Sequence, residues 1–118
     1  MATQYYNKKE QFLLDQEQAE ILISVVTGNG QGGSYVVFKE NKILGANEVV
    51  SGGMSDECVD KQLKVIVTIQ DKLAQTNWTN ATLSLKQGAH TADYFYAEEL
   101  PNDWDTACYI IKVKMKRE

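Results

Sequence analysis

From Ala107 to Lys116 the chain reads ACYIIKVKMK, with Ala107, Tyr109, Ile111, Val113 and Met115 alternating with Cys108, Ile110, Lys112, Lys114 and Lys116. Successive side chains of a strand point to opposite faces, so this period of two predicts a strand with one dry and one wet face. A helix would scatter the same five apolar residues around its circumference. The pattern recurs in the short stretch where Ala81, Leu83 and Leu85 alternate with Thr82, Ser84 and Lys86. In QLKVIVTIQ, Leu63, Val65, Val67 and Ile69 form one side, and the β-branched run from Val65 to Thr68 favours a strand.

Two further segments, AEILISVVT (19–27) and SYVVFK (34–39), are apolar on both faces. That suits central strands covered on both sides or packed against a partner. TADYFYA (91–97) and KILG (42–45) bring the count to seven, and residues 11–14 supply an eighth as an edge. Residues 5–20, rich in Gln, Glu, Lys and Leu, compete as a short N-terminal helix, and Ser55 has the chemistry to cap a turn through Asp56, Glu57 and Val59. With 118 residues, 43% hydrophobic content and one proline, the expectation is a single domain over 1–118. The expected fold is an all-β antiparallel sandwich of seven or eight strands.

A formal charge of -4 gives no general attraction to nucleic acid or anionic lipid, so neither is expected as a partner. The first residues, MATQYYNKKEQF, lack a charged head followed by an apolar core, and no stretch approaches the roughly 18 apolar residues of a membrane span. The expected location is cytoplasmic, although a secreted chain after leader removal would read the same. Cys58 and Cys108 lack the C-x-x-C spacing of zinc and redox sites, which leaves two reduced thiols or a single bridge.

GNGQGG (28–33) fits the phosphate-cradling pattern G-x-G-x-x-G. It lies between two strand candidates, however, and a dinucleotide site needs a helix N-terminus after its glycines. A kinase loop would also need H-R-D and D-F-G, which the chain lacks. The reading is a hairpin loop, with Asn29 and Gln31 exposed to meet a ligand or partner; Ser51-Gly-Gly-Met54 reads as a second flexible turn. His90 is the one histidine, expected at the surface, and G-x-S-x-G is absent, so catalysis is not the expected function.

The segment from Glu98 to Asp105 gathers four carboxylates just before the last strand. Turn formation explains these letters, and hard oxygen ligands for calcium are the alternative, with Asp103 and Asp105 as the metal candidates. Asn102-Asp-Trp-Asp105 resembles the acidic loop that precedes the C-terminal strand of the small bacterial calcium-dependent fucose-binding lectins, which are β-sandwiches of similar length. It is shorter than theirs, and this chain ends in Lys-Arg-Glu where those lectins have a terminal glycine. The resemblance implies that Asp103 and Asp105 hold a cation while Trp104 stacks on a sugar.

Tyr94 and Tyr96 share a face opposite Phe95, and with Trp104 they are candidate platforms for a partner. Lys112 and Lys114 begin a basic stripe that either protects an exposed edge or face or meets the acidic segment of a second copy. The leading expectation is therefore a non-enzymatic module that binds a protein partner or itself, with no cofactor. A lectin-like carbohydrate- or cation-binding module, using calcium, is the alternative.

Overall fold

Alternating apolar residues become the inner faces of two packed sheets. The computed structural model describes residues 2–14, 18–28, 32–72 and 75–117. Along the chain these form β1 (Thr3–Leu14), β2 (Glu20–Thr27), β3 (Gly32–Lys39), β4 (Lys42–Ala46), β5 (Val50–Met54), α1 (Ser55–Cys58), β6 (Gln62–Gln70), β7 (Trp78–Gln87), β8 (His90–Glu99) and β9 (Thr106–Arg117). One sheet has the order β1-β9-β6-β3-β4 and the other β5-β2-β7-β8. Every pairing is antiparallel except β1 with β9, which is parallel in register from Thr3↔Thr106 to Leu14↔Arg117. The protein is thus an all-β sandwich, and among the described residues no helix is long and apolar enough to cross a membrane.

The core follows the period of two. Ala107, Tyr109, Ile111, Val113 and Met115 of β9 are fully buried, as are Leu63, Val65, Val67 and Ile69 of β6, facing Ala81, Leu83 and Leu85 of β7. Tyr109 is the largest of these side chains, and its hydroxyl lies 2.8 Å from Thr79 Oγ1. Thr79 in turn donates to the Glu98 carbonyl at 3.0 Å, so the buried hydroxyls are paired.

The described residues of 5–20 form no helix: Thr3–Leu14 is one long strand. Its inward row is Gln4, Tyr6, Lys8, Glu10, Phe12 and Leu14, and the polar members Lys8 and Glu10 conceal the alternation. Both find partners at the open side of the sandwich. Lys8 pairs with Glu98 at 3.4 Å, and Glu10 accepts a hydrogen bond from Tyr96 Oη at 2.5 Å. Twelve ladder positions with β9 then outweigh the helix propensity of Gln, Glu and Lys, a preference that tertiary pairing readily overrides.

GNGQGG is not a hairpin, because β2 and β3 belong to different sheets and the chain crosses between them there. Its central residues, including Asn29 and Gln31, lie outside the described residues. The crossing needs Gly33 for close approach, since a Cβ at that position would sit 2.7 Å from Thr27 Cγ2. Residues 51–54 are likewise part of a strand, β5, whose register against β2 shifts at Ile21/Leu22 beside Gly53 with its φ of 99°. Ser55 does not cap α1 but begins it; Glu57 accepts the Met54 amide at 2.9 Å instead.

Candidate binding face

The outer face of the five-stranded sheet is assembled by register from residues far apart in sequence. One row across it runs Ala46, Val36, Ile66, Ile110 and Asn7, on β4, β3, β6, β9 and β1 in turn. The next row runs Ile43, Phe38, Lys64, Lys112 and Lys9. A solvated sheet face ordinarily carries polar residues opposite its apolar inner face. Here the wet side has a continuous apolar band bordered by a row of lysines. Ile43 is 64% exposed and Tyr5, farther along on β1, is 65% exposed, so the face is open to solvent.

Beyond the lysine row lies a depression of about 270 Å³ lined by Glu40, Asn41, Gln62, Lys64, Lys112 and Lys114. Glu40 and Asn41 form the two-residue turn between β3 and β4, both with positive φ, 48° and 70°, as a tight hairpin of this kind requires. Lys64 lies over the Phe38 ring at 5.0 Å, and Lys114 donates to the Asp60 carbonyl at 2.9 Å. Among the described residues, no carboxylate is within ion-pair distance of Lys9, Lys64, Lys112 or Lys114. β9 lies between β1 and β6, so Lys112 and Lys114 do not protect a sheet edge. They stand instead on the solvent-exposed face of an interior strand.

The remaining candidates are placed elsewhere. Tyr94 and Tyr96 do not form an exposed platform: they face inward, and Phe95 is the outward residue at 65% exposure. Tyr94 donates to the Gln11 carbonyl at 3.1 Å, and His90 Nε2 is 3.0 Å from the Leu13 carbonyl, with its ring stacked on Phe12. These β8 side chains fasten the edge strand β1. Burial, followed by the hydrogen bond that the phenol donates to Glu10, raises the Tyr96 phenol far above the usual tyrosine range.

Asp105 is 2% exposed and accepts the Ala2 amide at 2.9 Å, so it anchors the start of β1. The Asn77 amide lies 2.7 Å from Asp103 Oδ1 and 2.7 Å from Asp71 Oδ2, a geometry satisfied when its nitrogen faces both acids. Among the described residues no group of three or more His, Cys, Asp or Glu side chains is arranged to hold a metal ion. Trp104 is 54% exposed on a left-handed backbone, φ 68°. Lys112 lies seven residues along the chain from Asp105, about 23 Å in an extended strand, so the acidic turn and the lysines of one molecule are too far apart to pair. Cys58 and Cys108 are both free thiols, Cys58 buried and Cys108 half-buried on the outer face.

Lys112 and Lys114 were visible as a stripe, whereas Lys9, Lys64, Gln62, Glu40 and Asn41 were missed. The signal for Lys64 was its place on the wet side of QLKVIVTIQ, but its pairing with Lys112 depends on a register that sequence does not contain. Comparison with protein-family models, with curated proteins and with solved structures gave no match.

Proposed function

We propose that this protein works by binding and not by catalysis, docking a partner protein on the outer face of its five-stranded sheet. The observation that carries the reading is the apolar row Ala46, Val36, Ile66, Ile110 on the side of the sheet turned away from the core. Five strands of 5 to 12 residues, about 4.8 Å apart, give the whole face, apolar row and lysines together, roughly 700 Å², close to the ~800 Å² each partner contributes to a standard interface. The apolar row is a contiguous strip across that face, and contiguous apolar surface typically marks an interaction site. In a chain of net charge -4 this is the basic face, so the complementary surface is acidic. A second copy of this chain offers acidic surface, which makes self-association the first case to measure.

Carbohydrate binding at the acidic turn is the weaker reading, because Asp105 is committed to the Ala2 amide and the two tyrosines face inward. One experiment compares both. Molar mass is measured by light scattering over a concentration series, in calcium and in chelator, for the native chain and for Ile66→Lys and Ile110→Lys. A defined oligomer that the substitutions dissolve supports docking between copies. If the native chain is monomeric, a photo-reactive residue at position 110 should cross-link a single partner, lost with Ile66→Lys, while one at position 84 on the opposite sheet cross-links none. Indifference to Ile66→Lys in both assays overturns the reading, and an oligomer that needs calcium transfers it to the acidic turn.

A further inference from the structure

We infer that the depression at the β3–β4 turn is a site for a small multivalent oxyanion of the phosphate class, contacted by Lys64, Lys112 and Lys114. The register carries the argument. Lys64 and Lys112 are directly opposite on neighbouring antiparallel strands, a position that puts their Cβ atoms about 4.5–5.5 Å apart and makes like charges repel. Lys9 faces Lys112 from the other side, so Lys112 stands between two cations. No carboxylate among the described residues neutralises them within ion-pair distance, and β9 is an interior strand, so they guard no sheet edge and their charges gather on one face. Such an arrangement is unfavourable alone and favourable around a multiply charged anion, whose oxygens accept charge-assisted hydrogen bonds from several ammonium groups at once.

The size and lining fit that class. A volume of about 270 Å³ falls just below the roughly 300–1,000 Å³ typical of sites for larger organic ligands. The lining is polar throughout: three lysines outnumber the single carboxylate of Glu40, and the Gln62 and Asn41 amides add further donors. Lys64 is held over Phe38, and Lys114 uses one of its donors on Asp60, which limits the motion of both ammonium groups before a ligand arrives. The inference does not depend on protein docking at the apolar row, because the variants that test it leave Ile66 and Ile110 in place.

Calorimetric titration of the full chain at fixed ionic strength tests it, with inorganic pyrophosphate as one probe and a phosphoserine peptide as the other. The native chain should show saturable binding of at least one probe, and the tighter of the two identifies whether the phosphate is free or borne on a side chain. Lys112→Gln and Lys64→Gln should weaken it about tenfold or more, as expected for loss of a charged hydrogen bond. Lys86→Gln, on the outer face of the other sheet, should leave it unchanged. Without anion, Lys112→Gln should melt no lower than the native chain, since it relieves repulsion, and it should lose the rise in melting temperature that pyrophosphate gives the native chain. Absence of saturable heat from both probes overturns the inference, as does equal weakening by Lys86→Gln.

Discussion

Trp104 combines two properties that seldom coincide, a bulky side chain and a left-handed backbone, and it does so without burial. A side chain in that region strains the backbone unless its surroundings compensate. Here the neighbours supply the constraint: Asp105 holds the Ala2 amide, and its own amide approaches the Asn102 carbonyl at 3.4 Å. The indole contributes little packing, so Trp104→Asn, which suits a positive φ, should leave stability unchanged or raise it by up to about 1 kcal/mol in urea unfolding. A loss well beyond 1 kcal/mol would show that the ring is packed after all. If a sugar rests on this indole, the same variant would lose that binding without losing stability, which separates the two roles.

At the scale of elements, β1 and β8 depend on each other although they belong to different sheets. The Gln11 and Leu13 carbonyls on the edge strand are engaged by Tyr94 and His90, so β8 occupies backbone groups that would otherwise be free to recruit another strand. The double variant His90→Ala, Tyr94→Phe removes both contacts and should cost about 1–3 kcal/mol in all, at 0.5–1.5 for each hydrogen bond. Hydrogen exchange should accelerate in β1 first, while the β6–β9 ladder keeps its protection; uniform acceleration would contradict this dependence. The same pair of strands shows where sequence reading stopped. β6, β7 and β9 were legible because their inward rows are wholly or mainly apolar, whereas β1 hides a period of two behind Lys8 and Glu10, whose partners on β8 no local pattern reveals. The aromatic run of β8 was read with the right alternation, but which side faces the core was undetermined until Tyr96 could be paired with Glu10. Register limited the candidate site in the same way: Lys112 and Lys114 were apparent within one strand, and Lys9 and Lys64 became their neighbours only once three distant segments aligned.

For the whole molecule, a set of buried and partly buried phenols should make stability fall at alkaline pH. Burial is the main cause that raises the Tyr6, Tyr94, Tyr96 and Tyr109 phenols, and nearby carboxylates such as Glu98 and Glu10 add to it. In the unfolded chain these groups ionise near pH 10, while the folded chain keeps them neutral to higher pH. Their contribution is therefore fully present below about pH 10 and is lost as pH rises beyond it towards the folded values. Tyrosinate absorbance should show part of the tyrosine content titrating only as the fold is lost, and Tyr96→Phe should make the alkaline transition less steep. Smooth titration of all six tyrosines with the fold intact would contradict that assignment. The parallel pairing of β1 with β9 has a mechanical consequence as well. Thr3 sits beside Thr106 and Leu14 beside Arg117, so tension applied at Thr3 and Arg117 draws the two strands lengthwise past each other. The load is then shared along the whole ladder instead of parting it one rung at a time, which makes this join a clamp in shear.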